Sequence, residues 1–146
     1  MITENNVIYY AKMDQNGEII VPKTSVIGES ENILIRKEDD LTFSIYDLIE
    51  YKKILEKLKQ ESEVALFCGN IKRKEFFDEY IKKLSFSVLD VIRKDSSNKV
   101  LIPNHVKDMY DIEDRVLVCD GIDHIKVFKN DENKKEYEKR LINIFK

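Results

Sequence analysis

Asp14-Gln15-Asn16-Gly17-Glu18-Ile19-Ile20-Val21-Pro22 lies over Asp95-Ser96-Ser97-Asn98-Lys99-Val100-Leu101-Ile102-Pro103 at one constant offset, and the only two prolines of the chain fall on the same register. The physics of the two stretches agrees. Gly17 and Asn98 are the residue types that most readily adopt positive φ, as a tight turn between strands requires. Each turn is flanked by apolar, β-branched arms: residues 7–13 and 19–21 in the first copy, 88–93 and 100–102 in the second. A local hairpin is expected in each. Pro22 and Pro103 lack an N–H, so they end the ladder and suit the first turn of a helix, which predicts short helical turns over residues 23–27 and 104–110.

Outward from these hairpins the pattern repeats. Ile33-Leu34-Ile35 and residues 42–46 predict a second strand pair in the first half. Val116-Leu117-Val118 and residues 124–128 do so in the second, with polar connections at 37–40 and 120–123. A helix closes each half. Asp47 and Glu50 form an acidic variant of a capping box ahead of Leu48, Tyr51, Leu55 and Leu58, and Asp131 is the expected cap ahead of Tyr137, Leu141, Ile144 and Phe145. Between the halves, residues 61–86 have no repeat counterpart. They hold an amphipathic segment at 74–84, whose Phe76, Phe77, Tyr80, Ile81 and Leu84 make one apolar stripe, expected in the core or at a subunit interface.

The expected division is therefore 7–60 for the first repeat and its helix, 61–86 for the connecting helical segment, and 87–146 for the second repeat and its helix. Neither half is large enough to bury a sheet alone, since domains below roughly 60 residues are marginal. Mutual packing of the halves around one core is the simplest remedy.

Composition narrows the function classes. At 146 residues, with 42% apolar and 36% charged side chains, the chain is a globular unit rather than a disordered tail. A net charge of −3 excludes coating of nucleic acid by bulk charge and makes local charge decisive. No apolar run reaches the ~20 residues of a membrane helix, and the polar N-terminus has no signal-peptide pattern, so a cytoplasmic protein without a membrane partner is expected. Cys68 and Cys119 lie in apolar runs and are expected to be buried free thiols. Together with His105 and His124 they lack the short spacings of a zinc site, and neither a cofactor nor a metal is expected. No phosphate-binding glycine motif and no nucleophile, base and orienting group can be assembled, so catalysis is not expected.

The paired D-x-x-G-[KR]-[IV]-x-[IV]-P hairpins, followed by strands and a closing helix and present twice in this length, resemble the MraZ family. The resemblance covers nearly the whole chain. It implies an α+β fold of two AbrB-like (SpoVT-AbrB) swapped-hairpin repeats forming one pseudo-twofold domain. It further implies a nucleoid-associated transcriptional regulator that binds promoter double-stranded DNA and assembles as a homo-oligomer, a ring in the manner of that family. The family's DNA-contacting signature is Asp-x-x-x-Arg in each half; here the positions read Asp14 with Glu18 and Asp95 with Lys99. Lys99 keeps the charge without the bidentate fork of arginine, and Glu18 reverses it.

Charge near each hairpin points the same way. Lys12 and Lys23 are balanced by Asp14 and Glu18, whereas Arg93, Lys94, Lys99 and Lys107 outnumber Asp90 and Asp95. The expected DNA contacts are Arg93, Lys94 and Lys99, with Lys12 and Lys23 from the first half. Asp14, Gly17, Pro22, Asp95, Asn98 and Pro103 are expected to shape the turns. The alternative is a diverged AbrB-like scaffold that has lost DNA binding and acts through protein contacts. An antitoxin role fits poorly with a chain that ends in a patterned helix. Lys72-Arg73-Lys74, the densest basic cluster, is followed by Glu75, Asp78 and Glu79 and reads as an ordinary salt-laced helix surface.

Overall fold

The computed structural model describes residues 7–94 and 97–144. Among the described residues the architecture is α+β, with an antiparallel six-stranded sheet, a two-stranded ribbon and four helices. In chain order the elements are β1 (Val7–Lys12), β2 (Glu18–Ile20), β3 (Asn32–Lys37), β4 (Thr42–Asp47), α1 (Leu48–Phe67), α2 (Ile71–Phe86), β5 (Val88–Arg93), β6 (Lys99–Leu101), α3 (Asn104–Met109), β7 (Arg115–Asp120), β8 (His124–Phe128) and α4 (Asp131–Ile144).

The sheet order is β1-β7-β8-β4-β3-β5, and the ribbon is β2-β6. The expected local hairpins are therefore corrected. The turn between β1 and β2 forms, but β1 ladders with β7 and β2 with β6, while β5 ladders with β3. Each half gives its first strand to the third strand of the other. A three-residue arm cannot secure a six-residue strand, so the longer ladder is found across the halves.

The registers on the two sides match pair by pair. Lys12↔Arg115, Ala11↔Val116, Tyr10↔Leu117 and Tyr9↔Val118 are mirrored by Arg93↔Asn32, Ile92↔Ile33, Val91↔Leu34 and Asp90↔Ile35, until a bulge between Ile35 and Arg36 ends the match. Leu34↔Tyr46 and Arg36↔Ser44 are likewise mirrored by Leu117↔Phe128 and Cys119↔Lys126. Where the halves meet, Ile19 faces Val100 in the ribbon and Ser44 faces Lys126 in the sheet.

The main core lies between the ribbon and one face of the sheet. Ile19, Val21, Ile33, Ile35, Phe43, Ile45, Val100, Ile102, Val116, Val118, Ile125 and Val127 are all fully buried there. Strand alternation sends Leu34 and Tyr46 to the opposite face, where they pack with Tyr51 of α1 and Leu84 of α2. The Tyr51 hydroxyl donates to the Leu84 carbonyl at 2.6 Å and fixes α2 against α1.

The helices follow their caps. Asp47 accepts the Glu50 N–H at 3.0 Å, as the capping pattern predicts, but α1 continues to Phe67, beyond the expected boundary at residue 60. Gly69, at φ 73°, makes the reversal, and Asn70 caps α2 by accepting the Arg73 N–H at 3.1 Å. The cap of α4 is Asn130, which accepts the Asn133 N–H at 2.9 Å, rather than Asp131; Asp131 sits in the first turn, where its charge suits the helix dipole. After Pro103 the short α3 forms as expected. After Pro22 the chain makes successive turns closed on Pro22, Ser25 and Ile27 carbonyls instead of a helix.

Cys68 is exposed at the α1–α2 reversal and Cys119 is half-buried in β7, which corrects the expectation of two buried thiols. The amphipathic stripe of α2 is only partly covered, since Leu84 is buried while Phe76 and Tyr80 remain exposed. Among the described residues no helix is long and apolar enough to cross a membrane.

Candidate nucleic-acid interface

The ribbon is the element to which the quoted repeat contributes most. Its alternation turns Ile19 and Val100 into the core and leaves Glu18, Ile20, Lys99 and Leu101 on the outer face. Backbone bonds close both ends in the same way: the Ile102 N–H donates to Gly17 O and the Val21 N–H to Asn98 O, each at 2.9 Å. The Asn98 side chain adds a bond from Nδ2 to Val21 O at 2.7 Å.

The first turn is built as its sequence dictates. Asp14 Oδ1 accepts the N–H groups of Asn16 at 2.9 Å and Glu18 at 3.0 Å, and Gly17 takes φ 79°. A side chain at Gly17 would also meet the Lys107 ammonium at 3.2 Å, so Lys107 of α3 stands directly against this turn. Asp14 is thus occupied with the backbone. Asp95, its counterpart, lies outside the described residues.

The expected DNA-binding residues separate into distinct groups. Arg93 and Lys99 are exposed and line one cleft of about 280 Å³ beside the ribbon, together with Glu18, Ile92 and Leu101. Lys12 is exposed at the end of β1, paired in register with Arg115, whose guanidinium lies 4.4 Å over the Tyr10 ring. Lys23 is exposed but lines a separate hollow with Glu29, Asp47 and Glu50, an acidic setting that disfavours phosphate.

Lys94 is corrected outright. It is 4% exposed, and its ammonium donates to the carbonyls of Gly28 at 2.8 Å, Ser97 at 2.6 Å and Ser30 at 3.4 Å. It ties the second hairpin to the turns after Pro22 and is not available to a duplex. Its neighbours in sequence concealed this, because a Lys after an Arg on a hairpin reads as a solvated pair.

On the opposite face of the sheet, a polar cluster bridges the halves. Glu38 Oε1 accepts from Arg36 at 2.7 Å and from the Ser44 hydroxyl at 2.7 Å, and it faces the Lys126 ammonium at 3.6 Å. Burial pushes the Glu38 carboxyl up, but Lys126, the Ser44 hydrogen bond and Arg36 together bring it below the ordinary value. Arg36 is further held by Nε donation to Ser87 Oγ at 2.7 Å. Nearby, His124 stacks on Tyr46 and lies 2.5 Å from Asp123, and burial pushes the Tyr46 phenol up to about 12. His105, on α3, approaches Asp90 at 3.4 Å. Among the described residues no three His, Cys, Asp or Glu side chains converge as a metal site would require.

Two features escaped the sequence. Arg115 stands over Tyr10 of β1 only through tertiary packing, and Glu18 shares a cleft with Lys99 only because β2 pairs with β6. No protein-family model matches the chain, and no curated protein matches it.

Proposed function

We propose that this chain is a sequence-specific DNA-binding transcriptional regulator of the MraZ type, made of two AbrB-like swapped-hairpin repeats that share one pseudo-twofold domain. The observation that carries this reading is the two-stranded ribbon with Lys99 on its outer face and Arg93 beside it. A β-ribbon fits the major groove of a duplex, and cations on its flank neutralise phosphate. The exchange of strands between halves, with matching registers, supports the swapped-hairpin reading. A homo-oligomer, in which a weak contact is multiplied, belongs to the same reading. A cytoplasmic, nucleoid-associated role follows from the same reading, with no catalysis.

A salt-titrated mobility-shift assay with a promoter-region duplex tests it. The wild type binds with an affinity that falls steeply as salt rises, and Lys99→Glu removes the shift. Undiminished binding by Lys99→Glu contradicts the proposed face. A second reading, a scaffold acting through protein contacts, is favoured by Ile20, which is 60% exposed on the outer face of the ribbon, and by Glu18 on the same face. Absence of a shift at low salt, with Ile20→Glu abolishing self-association or partner capture, supports that reading.

A further inference from the structure

The two hairpins are not separate modules of which one has lost contact. Their second arms form a single ribbon, with Glu18↔Leu101, Ile19↔Val100 and Ile20↔Lys99 in register. Glu18 is therefore a diagonal neighbour of Lys99 on the same outer face, within roughly 7–8 Å along the backbone by ordinary antiparallel geometry. Both line the same cleft with Arg93. Any duplex that engages Lys99 brings Glu18 into its footprint.

The positions are also equivalent. Ile19 pairs with Val100, its own counterpart in the repeat, so a local twofold passes through that pair and relates Glu18 to Lys99 and Ile20 to Leu101. Two cations at these sites would present a symmetric face to the duplex. Instead one site is anionic and the other cationic, although the backbone is equivalent at both.

We infer that Glu18 makes recognition by this ribbon one-sided: the ligand is a non-palindromic duplex, with Lys99 on a phosphate or guanine edge and Glu18 accepting from a base-edge amino group across the local twofold. A carboxylate beside phosphate costs affinity, but in the major groove it can accept from the cytosine N4 amino group, which gives it discrimination instead. Glu18 then fixes the direction in which the ribbon lies on DNA. This rests on the DNA-binding reading above.

Selection from a randomised duplex library tests it, using the full chain as wild type, Glu18→Ala and Glu18→Lys. The wild type enriches a motif lacking twofold symmetry. Glu18→Ala binds random duplex more tightly and loses base preference on one side of the motif, and Glu18→Lys steepens the slope of log affinity against log salt by about 0.9, as one added phosphate contact does. A palindromic wild-type motif, or an unchanged motif in Glu18→Ala, overturns the inference while leaving DNA binding in place. Failure of the wild type to enrich any duplex overturns the functional reading and this inference together. Retained circular dichroism of each variant separates these outcomes from misfolding.

Discussion

At the scale of single residues, two adjacent cations of the second hairpin have opposite fates. Arg93 is exposed beside the ribbon, while Lys94 points inward and satisfies carbonyls of the first half. Removing a buried charged donor leaves those carbonyls unpaired, so Lys94→Ala is expected to cost about 3 kcal/mol of stability, measured by chemical denaturation. Lys99→Ala, at an exposed site, is expected to change stability by less than about 0.5 kcal/mol. A Lys94→Ala protein as stable as the wild type would contradict the caging role. The charge count along the chain could not separate the two, because Lys94 lies just past the end of β5 and its carbonyl partners at Gly28 and Ser30 come from the other half.

At the scale of elements, the Glu38 cluster joins β3 and β4 of the first half to β8 of the second through Arg36, Ser44 and Lys126. Its carboxyl titrates below the ordinary value in the folded protein, so the unfolded chain takes up a proton first as pH falls. The cluster's contribution is therefore complete above the unfolded carboxylate pKa and is lost as pH drops through the lower folded value. Glu38→Gln is expected to flatten the decline of denaturation midpoint in that acid window; a variant as acid-sensitive as the wild type would show that the cluster does not couple the halves. The strands themselves were legible as apolar β-branched runs, as were the Asp47 cap and α3 after Pro103. Their partners were not. A period-two pattern says which face a strand buries, not which strand lies beside it, and so β1 and β2 read as a local hairpin. The Asn130 cap was missed because Asp131 is an equally good capping type one residue on.

At the scale of the whole molecule, the repeat seen in the sequence is what interlocks the halves: each supplies an edge strand to the other's side of the sheet and one strand to the shared ribbon. This arrangement brings Glu18 of the first half to one cleft with Arg93 and Lys99 of the second, while leaving Lys23 among carboxylates on another surface. The turn chemistry of Asp14 and Gly17 was readable from residue type alone, whereas the meeting of Glu18 with Lys99 required the ribbon's register. This ribbon, formed by both halves, is the face proposed to meet DNA. Amide chemical-shift mapping of the isotope-labelled protein during titration with a promoter-region duplex tests it most directly. Glu18, Ile20, Lys99 and Leu101 are expected to shift together; perturbation confined to α1 and α2, with an unmoved ribbon, would contradict the proposed face.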